Sequence, residues 1–307
     1  VCFEVASLPE LELLLALGVC ADRVFYSNPI KSEAYLEQAM GHGVIWYAVD
    51  SVAEVNKLHR IARKTDKRVS LYLRLKISND GSFWRLDKKF GVNEQEAEDV
   101  LREFLRLGMD LVWVTFHVGS QCLNMDNWSQ GIRAARQCFH RMRLLGLTPG
   151  LLNLGGGFPV CMNENVPTIE DIGRRIRREL LAVDGEVQLM AEPGRNLVAS
   201  AGCMVTQVIG TAVRDGQHWL YLESGVYSGL MELNDRFQYP LITDRRGVLR
   251  SWTLAGPTCD SIDVCIKHQL LPASMAPGDL VYIPYAGAYT ACCATGFNGF
   301  PVPDVVV

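Results

Sequence analysis

The amino-acid sequence predicts an α/β fold: a (β/α)8 TIM barrel that lacks its first strand in this chain, followed by a C-terminal β domain. Three observations support this. Over residues 1–200, short apolar runs alternate with stretches of helical periodicity. Glycines follow two of the later runs, where barrel enzymes commonly bind phosphate. After about residue 200, β runs divided by turns replace the helices. We therefore expect a barrel over residues 1–200 and a β domain over residues 201–307.

Seven apolar runs in the first region predict parallel strands. They are VCFEVAS, VFYSNP, WYAVD, VSLYLRLK, LVWVTFHVG, LLNLGGG and VQLMAEPGR, which begin at residues 1, 24, 46, 69, 111, 151 and 187. Between them apolar residues recur at helical spacing, as in Val52, Val55 and Leu58. Gly108 and Gly146 stand where helix C-caps belong.

The number of runs separates two α/β architectures. A closed parallel barrel needs eight strands, whereas an open doubly wound sheet tolerates any number. The glycine-bearing ends GGGF and EPGR follow the sixth and seventh runs, and barrels often bind phosphate after strands 7 and 8. One strand placed before the opening VCFEVAS would bring them into that register. We therefore expect the first barrel strand to be absent from this sequence.

The second region has the pattern of a β domain. Its runs CMVTQVIGTAV, HWLYLES, SWTLAGPT and LVYIPYAGAYT are separated by turn-forming residues such as the APGD before the last of them.

Composition excludes several classes of function. The formal net charge of -4 and the pI near 5.9 give no basic stripe for nucleic acid. The one dense basic run, GRRIRREL at 173–180, is typical of the solvated face of a helix. No stretch has the length of a membrane span and the first residues lack a charged signal region, so we expect a cytoplasmic protein. Ten cysteines without CxxC pairs indicate neither a metal site nor a disulfide framework.

Candidate site residues stand at the carboxyl ends of the predicted strands. Gly155, Gly156 and Gly157 allow backbone N–H groups to approach an anion, and Arg195 could add a charged fork; alternatively, the glycines only form a turn. Glu192 could pair with a protonated ring nitrogen, or form an ordinary ion pair with Arg195.

The segment FHVGS contributes two further candidates. His117 could stack on a planar ring and Ser120 could bind phosphate, although a lone histidine at a strand end is otherwise a common core residue.

Six motifs together resemble a known family. FHVGS at 116–120, LGGGFP at 154–159, AEPGR at 191–195, GPTCD at 256–260, GAYT at 287–290 and FNGF at 297–300 are similar to those of the pyridoxal-phosphate-dependent ornithine decarboxylases, which have the alanine-racemase-like fold. The resemblance runs from residue 1 to 307. It implies pyridoxal 5'-phosphate as cofactor and no metal.

The resemblance also implies a role for each matching residue. His117 stacks on the pyridine ring and Glu192 pairs with its nitrogen. The phosphate and its surroundings are held by Ser120, Gly155, Gly156, Gly157, Arg195 and Tyr289. Arg85, in WRLDKKFG, matches an arginine near the cofactor, and Glu4 stands where the family usually has Asp.

Two further residues would enter the site from the partner subunit of a homodimer. Cys259 would return a proton to Cα, and Asp260 would bind the distal amine of the substrate. Phe297 would lie at the dimer interface. In the segment 228–240, Glu232 and Asp235 could face the substrate ammonium and set its chain length; alternatively, this segment is a solvated connection.

The family forms its resting Schiff base with a lysine at the end of barrel strand 1, in a motif like YAVKAN. No such motif occurs in this sequence, so we expect the chain as given to be inactive. Lys31 follows a later strand and a proline, and Lys76 ends another strand. We expect both to be structural or solvated.

These features predict decarboxylation of a basic amino acid, L-ornithine to putrescine, in polyamine biosynthesis. Three alternatives stay open. The first is a lysine/ornithine decarboxylase, and the second is a decarboxylase for diaminopimelate or carboxynorspermidine, whose members usually carry Glu after the equivalent cysteine. The third is a non-catalytic regulatory homologue of the antizyme-inhibitor kind.

Overall fold

A computed structural model describes residues 1–162, 166–183, 185–235 and 237–307. The chain forms two compact units. Unit 1 comprises Val1–Gly157 and Pro167–Pro193, and unit 2 comprises Phe158–Val166 and Gly194–Val307.

The boundary between the units lies between Pro193 and Gly194. The sequence predicts it a few residues later, at about residue 200. Residues from Gly194 onward belong to unit 2 because Ala199 accepts a hydrogen bond from the backbone of Gly287. Val160 packs against Ala199 and Ala288, and Asn196 donates to the carbonyl oxygen of Pro159. These contacts tie the segment after GGG to the second unit, and no periodicity in the sequence indicates them.

Unit 1 contains nine strands among its described residues. They are β1 (Phe3–Val5), β2 (Val24–Tyr26), β3 (Trp46–Val49), β4 (Ser70–Leu75), β5 (Ser82–Trp84), β6 (Asp110–Phe116), β7 (Ser120–Cys122), β8 (Leu151–Asn153) and β9 (Gln188–Met190). Seven of them form one parallel sheet in the order β1-β2-β3-β4-β6-β8-β9. These are the seven predicted runs. The sheet is curled, since Glu4 on β1 hydrogen-bonds to Glu192 just after β9.

The helices of unit 1 alternate with these strands. They are α1 (Leu8–Ala16), α2 (Glu33–Gly41), α3 (Val52–Thr65), α4 (Glu94–Leu107), α5 (Asp126–Leu144) and α6 (Ile169–Leu180). Five begin at a capping side chain that accepts from the first turn: Ser7, Ser32, Ser51, Asn93 and Thr168. In the predicted apolar stripe of α3, Val55 and Leu58 are buried and Val52 is partly buried. Gly108 ends α4 with φ of 62°. The basic run on α6 faces solvent, as expected, while Ile172 and Ile176 are buried.

Unit 2 has a five-stranded sheet. Its strands are β10 (Cys203–Arg214), β11 (Gln217–Leu222), β12 (Leu249–Ala255), β13 (Val264–Pro272) and β14 (Leu280–Pro284), in the order β13-β12-β11-β10-β14. One short helix, α7 (Arg195–Val198), precedes them. The predicted β domain is therefore present, with β13 as an addition that the sequence did not predict. Over the described residues, no helix has the length and apolar character needed to cross a membrane.

Candidate active site

Polar side chains gather inside unit 1, around a cavity of about 30 Å³. Its lining residues come from β1, β4, β6 and the segments after β2, β6 and β9: Glu4, Ser27, Tyr72, Arg74, Thr115, Phe116, His117 and Glu192. His117 and Glu192, both predicted site residues, thus share one cavity. Carboxyl ends of parallel strands meet at one edge of a barrel, which explains this convergence.

His117 is held by backbone and amide groups. Its Nδ1 accepts from the backbone N–H of Gly119 at 2.9 Å, and its carbonyl oxygen accepts from Asn79 Nδ2 at 2.8 Å. Burial, together with the charge of Arg74, lowers the pKa of His117 to about 3. The imidazole is therefore neutral near pH 7, a state that suits stacking on an electron-poor ring.

The glycine triplet packs closely against the turn that carries His117. A Cβ on Gly155 would lie 2.0 Å from the carbonyl oxygen of Phe116, and one on Gly157 would lie 2.1 Å from that of Gly119. A Cβ on Gly156 would lie 3.0 Å from His117 Nε2. Both Gly155 and Gly157 have positive φ. Close packing alone therefore requires glycine here, whether or not the segment also binds phosphate.

Glu192 belongs to a pair of carboxyl groups. Asn153 Nδ2 donates to Glu192 Oε1 at 2.5 Å, and Glu4 is hydrogen-bonded to the same side chain. Burial, then the neighbouring Glu192, raises the pKa of Glu4 well above its usual range. Burial also raises the pKa of Glu192, but the hydrogen bonds from Asn153 and Glu4 oppose that rise. Of the two carboxyl groups, Glu4 therefore holds a proton more firmly and donates to Glu192.

Arg195 lies in unit 2, and its counter-ion is Glu232. The guanidinium donates from both terminal nitrogens to the two carboxylate oxygens, at 2.8 and 2.5 Å. The hydroxyl of Tyr239 donates to the same carboxylate at 2.8 Å. Of the two acids predicted to face a substrate ammonium, Glu232 is thus engaged by Arg195, and the Asp235 side chain lies outside the described residues.

Aromatic rings flank the same guanidinium. Its carbon lies 4.9 Å from the ring centre of Phe237 and 4.7 Å from that of Tyr289. Tyr289 has φ of 56° and is 46% exposed. Two predicted phosphate ligands, Arg195 and Tyr289, are therefore in contact with each other.

Cys259 and Asp260 lie side by side in unit 2. The Cys259 side chain is exposed, and its backbone N–H donates to Asn298 Oδ1 at 3.2 Å. Asp260 accepts from the Ile262 backbone at 3.0 Å and from the Tyr227 hydroxyl at 2.6 Å. These hydrogen bonds lower the pKa of Asp260, so its carboxylate is ionised near neutral pH.

Phe297 and Arg85 have contacts of different kinds. Phe297 stacks on Tyr227 with ring centres 4.3 Å apart, so it supports the hydroxyl that binds Asp260. Arg85 is exposed and ion-paired with Asp80 and Asp87, at 2.5 and 2.7 Å. Ser120 lies on β7, opposite Trp84 of β5.

Sequence reasoning missed several polar residues around these groups. Arg74 interrupts the apolar run SLYLRL, and Asn153 is a buried amide at the end of β8. A charge or amide inside an otherwise apolar strand is the signal that could have identified both. Tyr227 and Asn298 carry no such signal, because their partners Asp260 and Cys259 are distant in sequence.

Lys31 is a buried structural lysine. Its Nζ donates to the carbonyl oxygens of Asn28, Pro29 and Ala48 at 2.8, 3.1 and 2.7 Å, and it is 3.1 Å from Glu54. Burial lowers its pKa to about 8. All three N–H groups have acceptors, which agrees with the predicted structural role. Lys76, just beyond β4, is exposed.

Residues 1–199 match the family model described as pyridoxal-dependent decarboxylase, pyridoxal binding domain. The lysine/ornithine decarboxylase of Selenomonas ruminantium is 32% identical over 310 residues, which cover 99% of this chain and 77% of that protein. The ornithine decarboxylase of Mus musculus is 31% identical over 325 residues, covering 99% and 69%.

Solved structures agree with these matches. The arginine decarboxylase of Paramecium bursaria Chlorella virus, bound to agmatine, superposes with a TM-score of 0.89 at 28% identity, covering 98% of this chain and 81% of that one. The lysine/ornithine decarboxylase of Vibrio vulnificus, complexed with cadaverine, gives 0.86 at 35% identity, covering 98% and 78%. The TIM-type barrel and C-terminal β domain are thereby confirmed, and the chain belongs to the family of pyridoxal-phosphate-dependent ornithine decarboxylases.

Proposed function

We propose that this protein decarboxylates L-ornithine to putrescine. The observation that carries the proposal is the fixed, ionised carboxylate of Asp260 beside the exposed thiol of Cys259. A carboxylate held by two donors is suited to the distal ammonium of a basic amino acid. A thiol next to it is suited to proton donation to the substrate.

The residues of the barrel fit the cofactor of this family. A neutral imidazole shares one cavity with the Glu192 carboxyl group, which is hydrogen-bonded to Asn153 and Glu4, and the glycine backbone approaches closely beside them. When bound, pyridoxal 5'-phosphate supplies an electron sink for the bond that breaks. We propose that Glu192 keeps the ring nitrogen protonated and His117 stacks on the ring. Ser120, Gly155, Gly156, Gly157, Arg195 and Tyr289 are the proposed phosphate ligands, with Arg85 nearby.

The protein groups have separate proposed tasks in the reaction. Asp260 orients the substrate through its distal ammonium. Cys259 donates a proton to Cα after carbon dioxide has left. We propose that both act in the site of the partner subunit of a homodimer, with Phe297 at the interface. Glu4 donates a hydrogen bond to Glu192 and so helps to keep that carboxyl ionised.

Lysine is the second candidate substrate. Two of the matched proteins are named lysine/ornithine decarboxylases, and the two substrates differ by one methylene. One methylene in a pocket changes discrimination only about 10–200-fold, so one site can accept both. We propose that the segment 228–240 sets the preference for ornithine over lysine. Since Glu232 is ion-paired with Arg195, Asp235 is the acid of this segment that we propose for the task.

The test is carbon dioxide release by protein expressed from its native coding sequence, with ornithine, lysine, arginine and diaminopimelate as substrates. We expect ornithine to give the highest kcat/KM. No turnover of any of the four, despite bound cofactor, would favour the regulatory alternative.

Two substitutions test the residue roles. We expect Cys259→Ala to slow amine formation roughly 100-fold and to increase misprotonated side products. Asp260→Asn should raise KM for ornithine more than it lowers kcat, as for lost ground-state binding. Cys203→Ala, another exposed cysteine, is the matched control. An unchanged rate and product ratio for Cys259→Ala would remove this thiol from the mechanism.

A further inference from the structure

Unit 2 carries a pair of adjacent thiols that the proposed reaction does not use. Cys292 and Cys293 lie in the short turn Ala291–Cys293, and their Sγ atoms are 3.9 Å apart. The Cys292 side chain is exposed and that of Cys293 is partly exposed. A reagent from solvent can therefore reach both sulfurs.

The geometry of the pair suits chelation better than a disulfide. Disulfides join residues whose Cα atoms are about 4.4–6.8 Å apart, whereas neighbouring Cα atoms are about 3.8 Å apart. The sulfurs would also have to approach to about 2.05 Å. In contrast, an atom bound to both at about 2.3 Å, with bond angles of 90–120°, holds them roughly 3.3–4.0 Å apart. The observed separation of 3.9 Å lies within that range.

The surroundings of the pair narrow the class of ligand. Over the described residues there is no group of three or more His, Cys, Asp or Glu side chains arranged to hold a metal ion. Glu232, whose negative charge contributes to the raised pKa of Cys293, already forms an ion pair with Arg195. The ligand must therefore complete its own coordination and need only two sulfurs from the protein.

The thiol of Cys293 is protonated before the ligand arrives. Burial, with contributions from Cys292 and Glu232, raises the pKa of Cys293 to about 11. A protonated thiol is a poor ligand, because the thiolate is the form that binds. A ligand that carries its own oxygen can bind nevertheless, since this oxygen accepts the two thiol protons and leaves as water.

We propose that Cys292 and Cys293 form a chelating site for a monosubstituted trivalent arsenical. The arsenic–oxygen bonds break, two arsenic–sulfur bonds form, and the two thiol protons leave with the oxygen as one water. Arsenic stays trivalent, so no oxidant or reductant is needed. The site is independent of the decarboxylase proposal, since neither cysteine is among the proposed cofactor or substrate ligands.

The experiment titrates the chain with phenylarsine oxide, and intact mass spectrometry and thiol counting follow the reaction. We expect one phenylarsenic group per chain at low reagent concentration, with loss of two titratable thiols. Cys292→Ser and Cys293→Ser should each weaken binding by roughly 100-fold or more, because the second bond of a chelate forms at high effective concentration. Cys203→Ser, at another exposed cysteine, should bind as the unaltered chain does.

Reversal distinguishes a chelate from a single-sulfur adduct. A dimercaptan should remove the group, whereas an equal concentration of a monothiol should leave it bound. Unchanged affinity in either serine variant, or removal by the monothiol, would overturn the proposal. Because no measurement involves turnover or cofactor, a negative result would not bear on the decarboxylase function.

Discussion

The tautomer of His117 follows from its backbone contacts. Since Nδ1 accepts the Gly119 N–H, the ring proton of the neutral imidazole lies on Nε2, the nitrogen next to Gly156. A side chain at Gly156 would displace this ring. The imidazole is therefore held in one orientation before any cofactor arrives, which lowers the entropy lost when a flat ring stacks on it.

We expect His117 to make the protein acid-sensitive. Its pKa is about 3 when folded and about 6.5 when unfolded. The unfolded state binds more protons between these values, so this contribution to stability is present above about pH 6.5 and is lost as the pH falls. Lowering the pH from about 7.5 to 5 should cost the unaltered chain about 1–2 kcal/mol more than His117→Gln, measured by urea unfolding. Equal pH dependence of the two proteins would contradict the buried neutral imidazole.

The Arg195–Glu232 pair should contribute to stability through mutual compensation of buried charge. Their side chains are only 4% and 11% exposed. Removing one partner of a buried pair leaves an uncompensated charge, so Glu232→Gln should lower the free energy of unfolding by about 3–5 kcal/mol. Urea unfolding measures this.

The control is Glu33→Gln, which removes the exposed ion pair with Arg60. We expect Glu33→Gln to change the free energy of unfolding little, because solvent screens exposed ion pairs. A similarly small effect for Glu232→Gln would mean that Arg195 finds another counter-ion. A raised KM for ornithine at unchanged stability would instead support the role that the sequence predicted for Glu232.

At the scale of elements, buried parallel strands were predictable and short polar ones were not. The strands of the barrel sheet lie in apolar runs because both faces of such a sheet are buried, the outer face under the helices and the inner face in the barrel interior. The strands β5 and β7 have only three residues each and include Ser82, Ser120 and Gln121, so no periodicity marks them. β13 was missed because polar residues such as Lys267 and His268 interrupt its apolar pattern.

The same distinction applies to the candidate site. His117, Glu192 and the glycines could be identified because they follow strands directly. Arg74 and Asn153 could not be assigned a role from the sequence, since their contacts with the cavity and Glu192 depend on how the sheet curls. The partner of Arg195 was missed for a similar reason, because Glu232 comes from a turn 37 residues later.

The contact between Tyr227 and Asp260 gives an element-scale prediction. Tyr227→Phe removes the hydroxyl that donates to Asp260 Oδ2, so the pKa of Asp260 should rise toward its usual value. Carboxyl NMR titration measures this without any turnover. Tyr282→Phe is the matched control, since the Tyr282 hydroxyl lies against Asp244 instead. If Asp260 has the same pKa in both variants, the hydrogen bond from the Ile262 N–H alone lowers the pKa of Asp260.

At the scale of the whole molecule, Lys31 joins distant parts of unit 1. Its Nζ contacts the segment after β2, the carbonyl of Ala48 on β3, and Glu54 on α3. Lys57 also pairs with Glu54, at 2.6 Å. A cation surrounded in this way can react only when the barrel opens locally.

We therefore expect Lys31 to be protected from the cofactor in the native chain. After incubation of the 307-residue chain with pyridoxal 5'-phosphate and reduction with borohydride, peptide mapping should find no adduct on Lys31. Exposed Lys76 should be modified at the slow rate of a surface lysine. In denaturant, Lys31 should be modified at the same rate as Lys76. Protection of buried groups scales with the free energy of local opening, so the native rate at Lys31 should be at least roughly 100-fold below that at Lys76. A trapped adduct at Lys31 in the native chain would mean that its four contacts open readily, and that this lysine could bind the cofactor after all.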